Sequence, residues 1–342
     1  MNHDFVFQQP LEEIIAKPST AAAKFKERGV VAFRNDDEDR SGVDSDIIIP
    51  LASAIGDIAA FTPSSERPSR EVFSKQSWQY HQVHDKQIEE KIRDGSNAPD
   101  QCVIEWHIEG PSLKTPQLAA VWHMYHFVAE PGTGNTGFVD MQMMYEKLPD
   151  NYRELLDRAE LMHLPNWQHP PQSEEEFVSQ FQRKFDAGMD IIWTQDGDKF
   201  VSSFSRKAVE VNPNTGVKTL RSCPCCAGWG PQDFLFKVDG RRPTQEEKDL
   251  WSEFFFWMKS EIEDNKENQI WWEWKQEDIV IPDLFRMAHG VLAGFQPGER
   301  SFWGYWCHAF GTGREPVETI SEEEYSQYLE LVDAKDVSLY QS

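Results

Sequence analysis

The residues of this chain best placed to do chemistry are His107 and Glu109, in the segment Cys102-Val103-Ile104-Glu105-Trp106-His107-Ile108-Glu109. Its partial alternation of apolar and polar residues predicts a β-strand. On a strand, residues two apart point to one face. An imidazole and a carboxylate then converge on one point and could bind a metal. With one more histidine they would complete the two-histidine, one-carboxylate set that holds Fe(II) and leaves coordination positions open. The 10 His and 58 acidic residues in 342 positions put about 1.7 acidic residues two places after a histidine by chance. The pair alone therefore decides nothing, since a surface ion pair on a strand accounts for it equally well.

The elements around the pair must position it. Residues 20–35 hold an Ala-rich, charged, helix-like stretch that runs into the strand-like Gly29-Val30-Val31-Ala32-Phe33. Residues 47–58 read as an apolar element ending in a helix, and 62–101 as polar and loop-rich. Residues 118–128 are a run of apolar and aromatic residues, followed by the turn Pro131-Gly132-Thr133-Gly134-Asn135. Residues 141–161 read as largely helical, broken or kinked at Pro149. Strand-like segments return at 270–274, 279–281 and 302–310. Residues 165–270 mix a Pro-rich loop, an acidic segment, a cysteine cluster and a helix at 244–259.

The surroundings of the pair resemble the TauD/TfdA family of 2-oxoglutarate-dependent oxygenases, with a His-x-Glu variant like that of the clavaminate synthase-like enzymes. The resemblance rests on Trp106-His107-Ile108-Glu109, Pro111, Thr115-Pro116, the apolar run from Leu118, Pro131-Gly132-Thr133-Gly134-Asn135-Thr136 and Tyr145-Glu146-Lys147-Leu148-Pro149, in family order. In the second half, Asp278-Ile279-Val280-Ile281-Pro282-Asp283 leads to His289, with Arg300 eleven residues on. The motifs cover roughly 20–160 and 270–310 and stop short of 165–270. Glu109 stands where the family mostly has Asp, Leu284 and Phe285 replace Asn and Arg, and Gln276-Glu277-Asp278 lacks the usual Gly.

The resemblance implies a mainly β fold with flanking helices around a double-stranded β-helix, or jelly-roll, core. It implies one oxygenase domain over 1–342, with 165–270 as an insertion or lid over the active site. His107, Glu109 and His289 would be the metal ligands and the catalytic centre. Arg300 would bind the far carboxylate of the co-substrate 2-oxoglutarate through its guanidinium fork, with the Thr136 hydroxyl as second donor. Fe(II), 2-oxoglutarate and O₂ would serve oxidation of a C–H bond in a small molecule by hydroxylation, desaturation or oxidative cyclisation. The Glu-bearing branch points to amino acids or metabolites derived from them. Two other readings share the ligands: a non-catalytic metal-binding jelly roll, and a zinc hydrolase. Neither has a use for Arg300.

Composition narrows the partners. A formal net charge of −24 argues against nucleic acid and anionic membranes. The start Met1-Asn2-His3-Asp4-Phe5 shows no basic, then apolar, leader. Five cysteines, an odd and low number, suit a reducing compartment and a cytoplasmic protein. Cys223-Pro224-Cys225-Cys226 has no second ligand pair at zinc spacing, so it reads as a loop of free thiols. His123 and His126 read as packed residues on a strand. Trp271 and Trp272 cannot both face inward on a regular strand. Oligomeric state is not legible.

Overall fold

The computed structural model describes residues 6–7, 16–17, 19–34, 51, 56–58, 80–83, 102–109, 118–163, 173, 192–196, 199–223, 230–231, 234–296 and 298–310. In chain order the strands are β1 (Val6–Phe7), β2 (Val30–Phe33), β3 (Gly56–Ile58), β4 (Tyr80–Val83), β5 (Cys102–His107), β6 (Ala119–Phe127), β7 (Thr136–Asp140), β8 (Ala159–His163), β9 (Ile192–Asp196), β10 (Lys199–Lys207), β11 (Val209–Val211), β12 (Lys218–Leu220), β13 (Phe234–Val238), β14 (Gln269–Trp272), β15 (Ile279–Pro282), β16 (Met287–Leu292) and β17 (Arg300–Phe310). The helices are α1 (Ser19–Arg28), α2 (Met141–Lys147), α3 (Asp150–Arg158) and α4 (Gln245–Glu263). The fold is thus mainly β with few helices. No helix among the described residues is long and apolar enough to cross a membrane.

The chain divides into two compact units. The first comprises Met1–Glu105, Gln117–Phe138 and Ile270–Val337. Its larger sheet runs β1-β2-β15-β6-β17-β3, with β4 also pairing with β17, and its smaller sheet runs β14-β7-β16-β5. One apolar core draws on both. Val30, Ala32, Ala120, Trp122, Met124 and Val280 come from the larger sheet; Phe138, Trp272 and Met287 come from the smaller. Their positions on β2 and β6 are two apart, as one face of a strand requires. All four residues of β2 and of β15 are buried, so both faces of these strands are covered.

Helix α1 prepares this sheet. Its Ala21 and Phe25, four apart, are the buried side. It stops at Gly29, whose φ of +75° suits a residue without Cβ. A Cβ there would also lie 2.6 Å from the Met287 methyl and 2.8 Å from Arg286 Cδ.

The second unit comprises Trp106–Pro116, Val139–Gln269 and Ser338–Ser342. Its four-stranded sheet runs β13-β8-β10-β9, and β11 pairs with β12 in a hairpin. The hairpin turn is built by Asn212, whose Oδ1 accepts from the backbone N–H groups of Asn214 at 2.7 Å and Thr215 at 3.2 Å. Helix α4 opens with a capping box between Thr244 and Glu247.

Several expectations need correction. The helical stretch predicted over 141–161 ends at Arg158, because Ala159 turns extended and β8 pairs with β10 and β13. The break at Pro149 separates α2 from α3 as expected. Residues 56–58, expected at the end of a helix, are strand β3, and the loop-rich 62–101 contains β4. Trp272 and Trp274 are both buried, while Trp271 is half-buried.

Candidate metal centre and anion-binding turn

Strand β5 ends at His107, and its neighbour in the smaller sheet is β16, which carries His289. Glu109 follows two residues after the strand end, at a bend. His107 Nε2 and Glu109 Oε2 are 3.7 Å apart. A direct hydrogen bond would hold them within about 3.2 Å, so this spacing suits two groups sharing a cation. One ligand atom from each of His107, Glu109 and His289 lies within 4.8 Å of the others. Two imidazoles and one carboxylate on one side of a point are the donor set of a non-haem Fe(II) site with open positions. The residues therefore fit the metal that the sequence implied.

His289 is nearly fully buried, and Trp122 from the larger sheet packs on it, with ring centroids 5.2 Å apart and a 59° tilt. Phe138 stacks on the same indole, with ring centroids 6.2 Å apart. These contacts fix the plane of the His289 ring. Trp122 was not singled out in the sequence; only its even position on β6, among core residues, could have pointed to it.

Arg300 opens β17 and is 5% exposed. Its guanidinium lies 5.3 Å over the Phe295 ring, and Nη1 donates to the Gly134 carbonyl at 3.1 Å. Gly134 has φ +62°, and a Cβ there would meet Phe295 at 3.1 Å and Arg300 Cδ at 3.4 Å. The glycine turn thus lets the arginine lie flat along it. Two residues on, Thr136 opens β7, and its buried Oγ1 accepts from the Trp274 indole N–H at 2.8 Å. The structure brings His107, Glu109 and His289 together, and places Arg300 and Thr136 at one turn.

Cys223 lies outside any helix or strand, as a loop reading expects. It is buried, and its thiol donates to the Trp106 carbonyl at 3.3 Å, next to His107. Cys225 and Cys226 lie outside the described residues.

His123 is packed, as expected, but it also has a polar partner. Its Nε2 lies 2.8 Å from Glu277 Oε2, both groups being buried. Glu277 has φ +67°, the left-handed region that glycine enters freely and other residues enter at a cost of about 1–3 kcal/mol. This is the place where the family's glycine is missing. The imidazole holds the glutamate in that conformation. His123→Ala should therefore destabilise the protein by about 3 kcal/mol, because it takes an imidazole partner from a buried carboxylate. Glu277→Gly in the His123→Ala background should recover at least half of that. Urea unfolding checks both; further destabilisation by the glycine would refute this reading of Glu277.

The family model of the "Taurine catabolism dioxygenase TauD, TfdA family" matches residues 4–306, and the chain belongs to that family. It is accordingly a 2-oxoglutarate-dependent non-haem iron dioxygenase. The match also spans 165–270, where the motifs had given no resemblance. Solved structures similar to it include a taurine dioxygenase from Burkholderia xenovorans, at 14% identity and TM-score 0.52, covering 96% of this chain and 93% of that one. PvcB from Pseudomonas aeruginosa aligns at 14% identity and TM-score 0.52, over 88% and 81%. AAD-2, in complex with Mn(II) and N-oxalylglycine, aligns at 14% identity and TM-score 0.55, over 93% and 96%. At such identities these likenesses speak for the fold. No curated protein is similar enough to count as a match.

Proposed function

We propose that His107, Glu109 and His289 hold Fe(II), that Arg300 and Thr136 bind the far carboxylate of 2-oxoglutarate, and that the protein oxidises a C–H bond of a small molecule. The observation that carries this reading is the convergence of the three ligand atoms within 4.8 Å. The iron, when bound, supplies O₂ activation coupled to decarboxylation of 2-oxoglutarate to succinate.

The chain's own residues do the rest. Three protein ligands on one side leave positions for the keto acid and O₂. Trp122 keeps the His289 ring in one orientation. Arg300, always charged, offers a planar fork to a carboxylate. Thr136 adds a hydroxyl proton. The core is read as a jelly roll because the two facing sheets share one apolar interior. Residues 165–270 are read as an insertion over the active site within a single oxygenase domain. The substrate is read as an amino acid or a metabolite derived from one, and hydroxylation, desaturation and cyclisation all fit. PvcB, similar in fold, is described as an oxygenase of an isonitrile synthetic pathway, which accords with a metabolite substrate.

The test is Fe(II)-dependent succinate formation by the anaerobically loaded protein on exposure to O₂ and 2-oxoglutarate. Slow substrate-free turnover is expected, accelerated at least about tenfold by a true substrate. Iron bound without any succinate, in the presence of a broad amino-acid panel, would leave a metal-binding protein without oxygenase activity.

A further inference from the structure

We propose that Trp274 is a positioning residue for the co-substrate, its indole N–H turning the proton of the Thr136 hydroxyl toward the carboxylate that Arg300 receives. The proposal rests on the assignment of Arg300 and Thr136 to 2-oxoglutarate.

An indole N–H can only donate, whereas a hydroxyl has one proton and two lone pairs. The 2.8 Å contact between Trp274 Nε1 and Thr136 Oγ1 therefore uses a threonine lone pair. Trp274 is 2% and Thr136 3% exposed, so bulk water does not compete for either group. The contact settles what the hydroxyl accepts and leaves its proton to be donated. Among the described residues Thr136 donates to none. A buried O–H without an acceptor is unfavourable, and this one lies two residues after Gly134, whose carbonyl holds Arg300. A ligand carboxylate would take donors from both side chains of this one turn.

Trp274 is itself held firmly. Trp272 packs edge-on against it, with ring centroids 6.4 Å apart at 89°. The Arg34 guanidinium lies 4.5 Å over Trp272, donates to the Glu273 carbonyl, and pairs with the fully buried Asp278 at 3.3 Å. Both flanks of the segment bearing Trp274 are thereby tied down, and the indole N–H has a fixed aim. With Phe at 274 the volume stays mostly filled, but the Thr136 hydroxyl turns among its rotamers.

A double-mutant cycle read by calorimetric titration of 2-oxoglutarate into the Mn(II)-loaded protein tests this. Trp274→Phe should weaken binding about fivefold to tenfold, the loss expected for one neutral hydrogen bond. Thr136→Ala should weaken it about tenfold, and Thr136→Ser should stay within about threefold of the native protein. In the Thr136→Ala background, Trp274→Phe should add less than about twofold. Mn(II) affinity should not change in any variant. Trp274→His, which keeps a ring N–H, should bind better than Trp274→Phe, and it serves as the second probe if the phenylalanine variant folds poorly. The same factor for Trp274→Phe in both backgrounds would mean that Trp274 acts by packing, and the proposal would fall alone. Native affinity in both Thr136→Ala and Arg300→Ala would remove the co-substrate assignment beneath it.

Discussion

His289→Ala should give a folded protein that no longer retains iron. Three side chains make up the proposed site, and none of the other described residues joins the cluster to replace a lost one. Iron should fall from near one equivalent to below about a tenth in anaerobically loaded protein. Turnover should drop at least about a thousandfold, equivalent to about 4.1 kcal/mol on the barrier. His107→Ala should match it in both respects. The two differ in packing: His289 is 5% exposed against Trp122, whereas the His107 side chain is 27% exposed. Removing the buried ring leaves a cavity, so His289→Ala should also lose about 1–3 kcal/mol of stability, and His107→Ala much less. Equal loss of iron with unequal loss of stability separates ligation from packing. Near-stoichiometric iron in either variant would exclude that residue as a ligand.

The spacing of His107 and Glu109 suggested convergence, and their side chains lie 3.7 Å apart. The regular strand β5 ends at His107, so Glu109 lies two residues beyond it, at a bend. Glutamate is longer than aspartate by one methylene, which gives a carboxylate beyond the strand end more reach. His289 could not be reached by local reasoning. It lies 182 residues beyond His107 in sequence and comes near only because β16 is paired next to β5. Its place was legible through family spacing alone.

Other features left little or no trace in the residue pattern. β10 reads Lys-Phe-Val-Ser-Ser-Phe-Ser-Arg-Lys, too polar to display an apolar period, so its pairing with β8 and β9 was not legible. Ala159 to Leu161 continued a helical pattern, and tertiary pairing with β13 overrode it. Glu277 was visible as a missing glycine. That it takes the glycine's conformation, held by a histidine 154 positions away in the chain, was not. Polar contacts between distant strands have no periodicity for a sequence to display.

Arg300→Ala should raise the apparent KM for 2-oxoglutarate by about a hundredfold or more while leaving iron content unchanged. Arg300 is 5% exposed, and its guanidinium lies over Phe295 and is steered by the Gly134 carbonyl, which takes one of its five N–H donors. Truncating one partner of a buried, hydrogen-bonded charge pair costs about 2–5 kcal/mol, and about 1.4 kcal/mol is tenfold. Lysine should rescue only in part: it restores a charge but has no planar fork to meet both carboxylate oxygens. A keto acid without the far carboxylate, such as pyruvate, makes no use of Arg300 and should gain relative to 2-oxoglutarate in the alanine variant. Loss of the side chain also leaves the Gly134 carbonyl without that donor, so the variant should be somewhat less stable, and thermal denaturation must show it folded before kinetics are compared. The paired readouts discriminate. A raised KM for 2-oxoglutarate with native iron content places Arg300 on the co-substrate. A raised KM for the substrate alone would place it on the substrate. Loss of iron would mean that the turn at Gly134 and the metal ligands are mechanically coupled, and the separate anchoring role would be lost.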